Sequence, residues 1–265
     1  MLGWPVAHSL SPVLHRAAYA ALGLTWTYEA IDCGASELAG VLADHADYAG
    51  FSCTMPLKHA ALDVAAEVSH NARIVGAANT LLPRGGGGWL AENTDVAGIA
   101  AALAERDVRP RRVTVLGAGG TAQAAVVALR QLGVLDCAVL VRDRVRADAV
   151  LATAARAGVQ LTVALLAPEA PELAADLVIS TLPARAADAL AARHWSARQT
   201  VLDVAYDPWP SVLADAVGES DGTVVSGALM LLHQAAEQVH LMTGQAPPLA
   251  AMRAALLAAA PGCGA

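Results

Sequence analysis

The chain has 265 residues, 56% hydrophobic and only 15% charged, which argues against a disordered segment and is enough for two domains with cores of their own. A formal net charge of −7 argues against nucleic-acid binding, which rests on clustered Lys and Arg. Cys33, Cys53, Cys137 and Cys263 are scattered with no C-x-x-C spacing, no signal-like segment opens the chain, and its longest uncharged run, Val113 to Leu129, contains a glycine turn; a cytoplasmic α/β protein with free thiols, no metal site and no membrane partner is expected.

In chain order, Ser11-Pro12 predicts a helix start, with the Ser11 hydroxyl as cap and Leu14, Ala17, Ala18 and Ala21 as the buried face before Gly23. Ser9 and Ser11 then stand at a helix N-terminus, which favours anions. Trp26 to Asp32 alternates as a strand, Ser36 opens a helix carrying Leu38, Val41 and Leu42, and Gly50 to Lys58 reads as a strand running into a loop at Pro56. Lys58 is placed at that strand's exit. Gly76-Ala-Ala-Asn-Thr80 and Glu92-Asn-Thr-Asp95 flank a hairpin with its tip at Gly85 to Gly88, and Asp95 is expected to cap the helix through Leu103.

Val113-Thr-Val-Leu116 predicts a buried strand that enters a glycine turn. Gly117, Gly119 and Ala122 give G-x-G-x-x-A spacing, with Ala118, Gly120 and Thr121 between them. The first glycine allows a sharp turn, the second lets backbone approach a pyrophosphate, and the small third position packs helix on sheet. Dinucleotide binding follows because the motif joins a strand to a helix and more βα units come after it. Cys137 to Val141 predicts the second strand, ending where an adenosine ribose would lie, beside Arg142, Arg144 and Arg146. Further strands are expected at Leu161–Val163, Leu177–Ser180, Thr200–Asp203 and Val224–Ser226, with Ala184 to Ala192 helical. A long helix over Gly227 to Thr243 puts Leu231, Gln234 and Gln238 near one face, and Leu249 to Ala259 reads as a last helix packing back on the first domain.

Taken together, Gly3-x-Pro-x-x-His-Ser-x-Ser-Pro12, Thr54-x-Pro-x-Lys58, Gly76-Ala-x-Asn-Thr80, Asn93-Thr-Asp95, the Gly117 turn, Asp203-x-x-Tyr206 and Gly227-x-x-Met-Leu-x-x-Gln234 resemble the shikimate dehydrogenase family, in family order over nearly the whole chain. The resemblance implies a two-domain α/β fold: a substrate-binding domain over 1–98 completed by 228–265, a Rossmann-type NADP-binding domain over 99–227, and a cleft between them. It implies reversible NADPH-dependent reduction of 3-dehydroshikimate to shikimate, a step of chorismate biosynthesis. Lys58 and Asp95 match the family's catalytic pair, and Ser9, Ser11, Thr54, Asn79, Tyr206 and Gln234 match its substrate-binding positions. Gly117, Ala118, Gly119, Gly120, Thr121, Arg142, Arg146, Val204 and Gly227 are expected to meet the cofactor. Ser11, rather than threonine, leans toward shikimate over quinate.

Three departures stand out. Only Met1 and Leu2 precede Gly3, so either the true start lies upstream or the first strand is shortened; Ser52-Cys53 replaces the family's Asn-Val. Where NADP-using members carry Asn-Arg-Thr, this chain has Val141-Arg142-Asp143; three arginines against one carboxylate favour NADP over NAD. An NAD-dependent quinate/shikimate dehydrogenase and a non-catalytic metabolite sensor are the alternatives, and a monomer or homodimer is expected.

Overall fold

Short strands and helices alternate through the first part of the computed structural model, which describes residues 1–263. The chain forms two units, Met1–Gly98 with Leu231–Ala260, and Ile99–Met230 with the residues from Pro261 on. Unit 1 contains β1 (Leu2–Gly3), α1 (Ser11–Ala21), β2 (Ile31–Asp32), α2 (Leu38–Asp44), β3 (Phe51–Ser52), α3 (Leu57–Asp63), β4 (Glu67–Val68), α4 (His70–Val75), β5 (Thr80–Pro83) and β6 (Trp89–Glu92). Helix α5 (Asp95–Glu105) begins in it. Strands β1 and β2 pair in parallel, and a second sheet has the order β3-β5-β6-β4. Its β5–β6 hairpin closes where the Arg84 and Gly88 backbones bond, so the glycine run is a tip as its composition predicts.

Several helix starts differ from expectation. Helix α1 begins at Ser11 itself, and it is the Ser9 hydroxyl that accepts the Ser11 N–H, at 3.2 Å. Its buried face is Ser11, Leu14, His15, Ala18 and Tyr19, so Ala21 is exposed. Helix α2 starts at Leu38 after Glu37, later than Ser36 suggests. Only Ile31–Asp32 of the expected Trp26–Asp32 strand is paired, because its partner β1 offers only two residues. Lys58 sits in the first turn of α3 rather than in a loop, since the Leu57 N–H donates to the Thr54 carbonyl at 2.7 Å and turns the chain into a helix.

Unit 2 contains β7 (Val113–Leu116), α6 (Gly120–Gln131), β8 (Asp136–Val141), α7 (Asp148–Ala157), β9 (Gln160–Leu165), β10 (Leu177–Ser180), β11 (Thr200–Asp203), α8 (Val212–Glu219) and β12 (Thr223–Ser226). All six strands are parallel in the order β12-β11-β10-β7-β8-β9, the doubly wound Rossmann-type order whose direction reverses beside β7. Of the expected helix at Ala184–Ala192, only a 3-10 turn at Asp188–Ala192 forms. Trp195 anchors this unit's core with Leu116, Leu140, Leu173, Val201 and Leu213, and its indole N–H donates to the Leu190 carbonyl at 3.1 Å. Each such fully buried large side chain contributes roughly 1.5–3 kcal/mol.

Helix α9 (Gly227–Thr243) leads from β12 into unit 1, where α10 (Leu249–Ala259) packs along α1. Unit 1's own core gathers Leu2, Leu38, Leu42, Phe51, Leu57 and Leu81. Among the described residues no helix is long and apolar enough to cross a membrane.

Candidate active site

In unit 1 the first turns of α3 and α5 bring one cation and one carboxylate together. Lys58 Nζ donates to Asp95 Oδ2 at 2.6 Å, with side chains 18% and 6% exposed. Asp95 is the first residue of α5 and does not cap it; the Thr94 carbonyl accepts the first helical bond, from Gly98, and Asn93 Oδ1 accepts the Val96 N–H at 3.4 Å. This frees the Asp95 carboxylate for side chains. Its second oxygen accepts from Asn79 Nδ2 at 2.9 Å. The Ala78 N–H donates to the Lys58 carbonyl at 2.7 Å, tying α3 to the segment that carries Asn79.

Asn79 is the hub. Its amide nitrogen also donates to Thr94 Oγ1 at 2.9 Å and reaches Gln234 Oε1 at 3.3 Å, while its oxygen accepts the Thr94 N–H at 2.8 Å. Two amide protons face three acceptors, so Gln234, the most distant, is the partner most easily drawn toward a ligand. Lys58, Asp95, Asn79 and Gln234 therefore form one bonded cluster.

Ser9 and Ser11 join each other through the α1 cap, and Ser11 lies near the buried Tyr28 hydroxyl. Thr54 lies on the connection into α3, its N–H on the Leu2 carbonyl at 2.9 Å and its methyl in the space left by Gly3, where a Cβ would clash with it. Tyr206 belongs to unit 2, at the exit of β11, where its carbonyl accepts from Cys263 Sγ at 3.6 Å.

Unit 2 offers a cradle for a dinucleotide. Gly117 has φ 102°, and a Cβ there would sit 2.7 Å from Thr181 Oγ1, so the turn out of β7 accepts only glycine. Gly119 caps α6 in extended conformation without a side-chain acceptor and has open space where its Cβ would point. The first-turn N–H groups of a 12-residue helix, with Ala118, Gly120 and Thr121 around them, thus suit a pyrophosphate. At the end of β8, Asp143 Oδ1 accepts the Val145 N–H at 3.1 Å, capping the 3-10 turn that follows. Arg142, Arg144 and Arg146 are exposed beside it.

At β11, Asp203 accepts from Ser211 Oγ at 2.6 Å and from the Ala205 N–H at 3.3 Å, holding the loop of Val204 and Tyr206. Burial raises the Asp203 pKa above the ordinary carboxylate value despite these bonds. Gly227 packs directly on the Val204 backbone. Sequence reasoning missed Tyr28, Thr80, Thr94 and the polar role of His15, all of which bond into the unit 1 network. Gln238, one helical turn beyond Gln234, carried the one signal that could have found it.

The family model of the shikimate dehydrogenase substrate binding domain matches residues 1–81, and that of the shikimate 5'-dehydrogenase C-terminal domain matches 227–257. Shikimate dehydrogenase (NADP(+)) of Rubrobacter xylanophilus is 36% identical over 97% of this chain and 94% of its own. The crystal structure of the Mycobacterium tuberculosis shikimate dehydrogenase is 45% identical with a TM-score of 0.86, covering 97% of both chains. The Thermus thermophilus shikimate 5-dehydrogenase in complex with NADP(H) and shikimate is 32% identical with a TM-score of 0.82, again over 97% of both. The chain spans about half the length of several other curated relatives it matches, and 17% of one pentafunctional AROM polypeptide.

Proposed function

This chain belongs to the shikimate dehydrogenase family, and from that membership we propose that it interconverts 3-dehydroshikimate and shikimate with NADP(H). The observation that carries the reading is the Lys58–Asp95 pair at 2.6 Å, bonded to Asn79 in a partly buried polar cluster. A lysine ammonium next to a ketone oxygen stabilises the negative charge that develops there on reduction and supplies the proton that completes the hydroxyl. In the oxidative direction the Lys58 amine is the group placed to take that proton back. Asp95 keeps the amine aimed, and its second oxygen is steadied by Asn79.

The Ser9 and Ser11 hydroxyls, at the start of an 11-residue helix, suit the substrate carboxylate. Thr54, Asn79, Tyr206 and Gln234 are assigned to the ring hydroxyls. NADPH, when bound, supplies the hydride. Gly117, Ala118, Gly119, Gly120 and Thr121 would hold its pyrophosphate, Arg142 and Arg146 its 2′-phosphate, and Val204 and Gly227 would line its nicotinamide end. The three exposed arginines after β8 support NADP over NAD. Lys58 and Asp95 also favour an enzyme over a metabolite sensor, which needs no acid–base pair. We place the chain in the cytoplasm as a monomer or homodimer; its four free cysteines, all buried, suit a reducing compartment.

Following absorbance at 340 nm with shikimate or quinate, and NADP or NAD, tests substrate and cofactor together. NADPH formation with shikimate is expected; turnover with quinate and NAD alone would replace the reading.

A further inference from the structure

Behind the catalytic cluster runs a buried chain of hydrogen bonds in which every donor has a defined direction. Tyr28 O–H donates to Ser52 Oγ at 2.6 Å, and Ser52 donates to Gln238 Oε1 at 2.8 Å. Gln238 Nε2 then donates to Thr80 Oγ1 at 2.9 Å and to the Asn79 carbonyl at 3.2 Å. Having accepted, Thr80 gives its single proton to Asn79 Oδ1 at 2.9 Å. Asn79 Nδ2 in turn donates to Asp95 Oδ1, the carboxylate that holds Lys58.

We propose that Gln238 and Thr80 are positioning residues for the Lys58–Asp95 pair, acting by fixing which end of the Asn79 amide faces Asp95. The inference rests on the function proposed above. Neither residue touches Lys58 or Asp95 in the bonds described; both act through Asn79.

The donor inventory makes the direction compulsory. Asn79 Oδ1 receives the Thr80 hydroxyl and the Thr94 N–H, so that end of the amide can only be the acceptor. Turning the amide over would set N–H against N–H at Thr94 and a carbonyl against the Asp95 carboxylate. Gln238 sets the Thr80 hydroxyl the same way, because its own oxygen is filled by Ser52 and by His15 Nε2 at 3.2 Å. His15 is fully buried, which pushes its pKa down to about 3 and keeps the ring neutral. Gln238 Nε2 faces the Asn79 carbonyl, so Gln238 Oε1 can only accept; this puts the ring proton on His15 Nε2 and leaves Nδ1 to accept from Tyr19 O–H at 3.4 Å. Tyr28, Ser52, Thr80 and Gln238 are all buried, so water does not compete with the chain. Ser52, where the family pattern reads Asn, is one link of it.

The test compares Thr80→Val, which keeps shape and removes the hydroxyl, with Thr80→Ser, which restores it. Thr80→Val is expected to lower kcat for shikimate about tenfold and to shift its pH profile, with KM for NADP unchanged; Thr80→Ser should return both to within about twofold. A second readout does not depend on activity. The Asn79 side-chain amide signals in a 1H–15N spectrum, identified by their loss in Asn79→Asp, should move in Thr80→Val and return in Thr80→Ser. An unmoved amide signal in Thr80→Val overturns the proposal, as does an unchanged pH profile. Should the wild-type chain not turn over shikimate, the proposed function falls, and the amide signals still judge the relay. If Thr80→Val does not fold, Gln238→Met carries the same comparison with the same two outcomes.

Discussion

Gly227 lies so close to Val204 that a Cβ on it would run into the Val204 carbonyl carbon and oxygen. Backbone cannot swing aside as a flexible side chain can. Gly227→Ala should therefore push the start of α9 off the exit of β11, lowering stability by about 1–3 kcal/mol and weakening NADP binding. Gly40, inside α2 with nothing within 4 Å of its added Cβ, is the control. Gly40→Ala should leave NADP binding unchanged and stabilise by about 0.5–1 kcal/mol, as chemical denaturation will show.

Acid should unfold the chain through His15. Its folded-state pKa of about 3, lowered by burial, lies below the ordinary 6.5, so the unfolded state binds the extra proton. Stability from this group is complete above pH 6.5 and is lost as pH falls from 6.5 toward 3, by on the order of 1.4 kcal/mol per unit. His15→Phe removes the titration. Circular dichroism against pH should show a shallower slope in that window for the variant; equal slopes would contradict the assignment.

Cofactor choice should follow the exposed arginines after β8. Arg142→Ala and Arg146→Ala are each expected to reduce kcat/KM for NADP about tenfold, equivalent to roughly 1.4 kcal/mol, and to leave kcat/KM for NAD nearly unchanged. Equal losses with both cofactors would mean that the side chains do not meet the 2′-phosphate.

Much of unit 2 was legible in the sequence because its signals are local. The strand, glycine turn and helix over Val113 to Gln131 lie within one run of chain, and parallel strands buried on both faces read as apolar segments. Unit 1 was harder. Its strands β1, β2 and β3 are only two residues long, too short for alternation to distinguish them. Lys58 and Asp95 were found from their motifs, and Asp95 was placed at its helix start; that Lys58 lies on a helix was not legible, because the Thr54 carbonyl that sets the start of α3 lies outside that helix. Nor could local pattern reveal the partners of Gln238: His15 is 223 positions away and Ser52 186. A polar residue on an apolar helix announces that it needs a partner without saying which.

The most direct test of the account is Lys58→Met, assayed for NADPH formation from shikimate alongside calorimetric binding of shikimate and of NADP. In this variant kcat is expected to fall by at least a hundredfold, about 2.7 kcal/mol or more, while the chain stays folded and NADP binds as in the wild type. Turnover within a few fold of wild type would take Lys58 out of the proton transfer and contradict the mechanism.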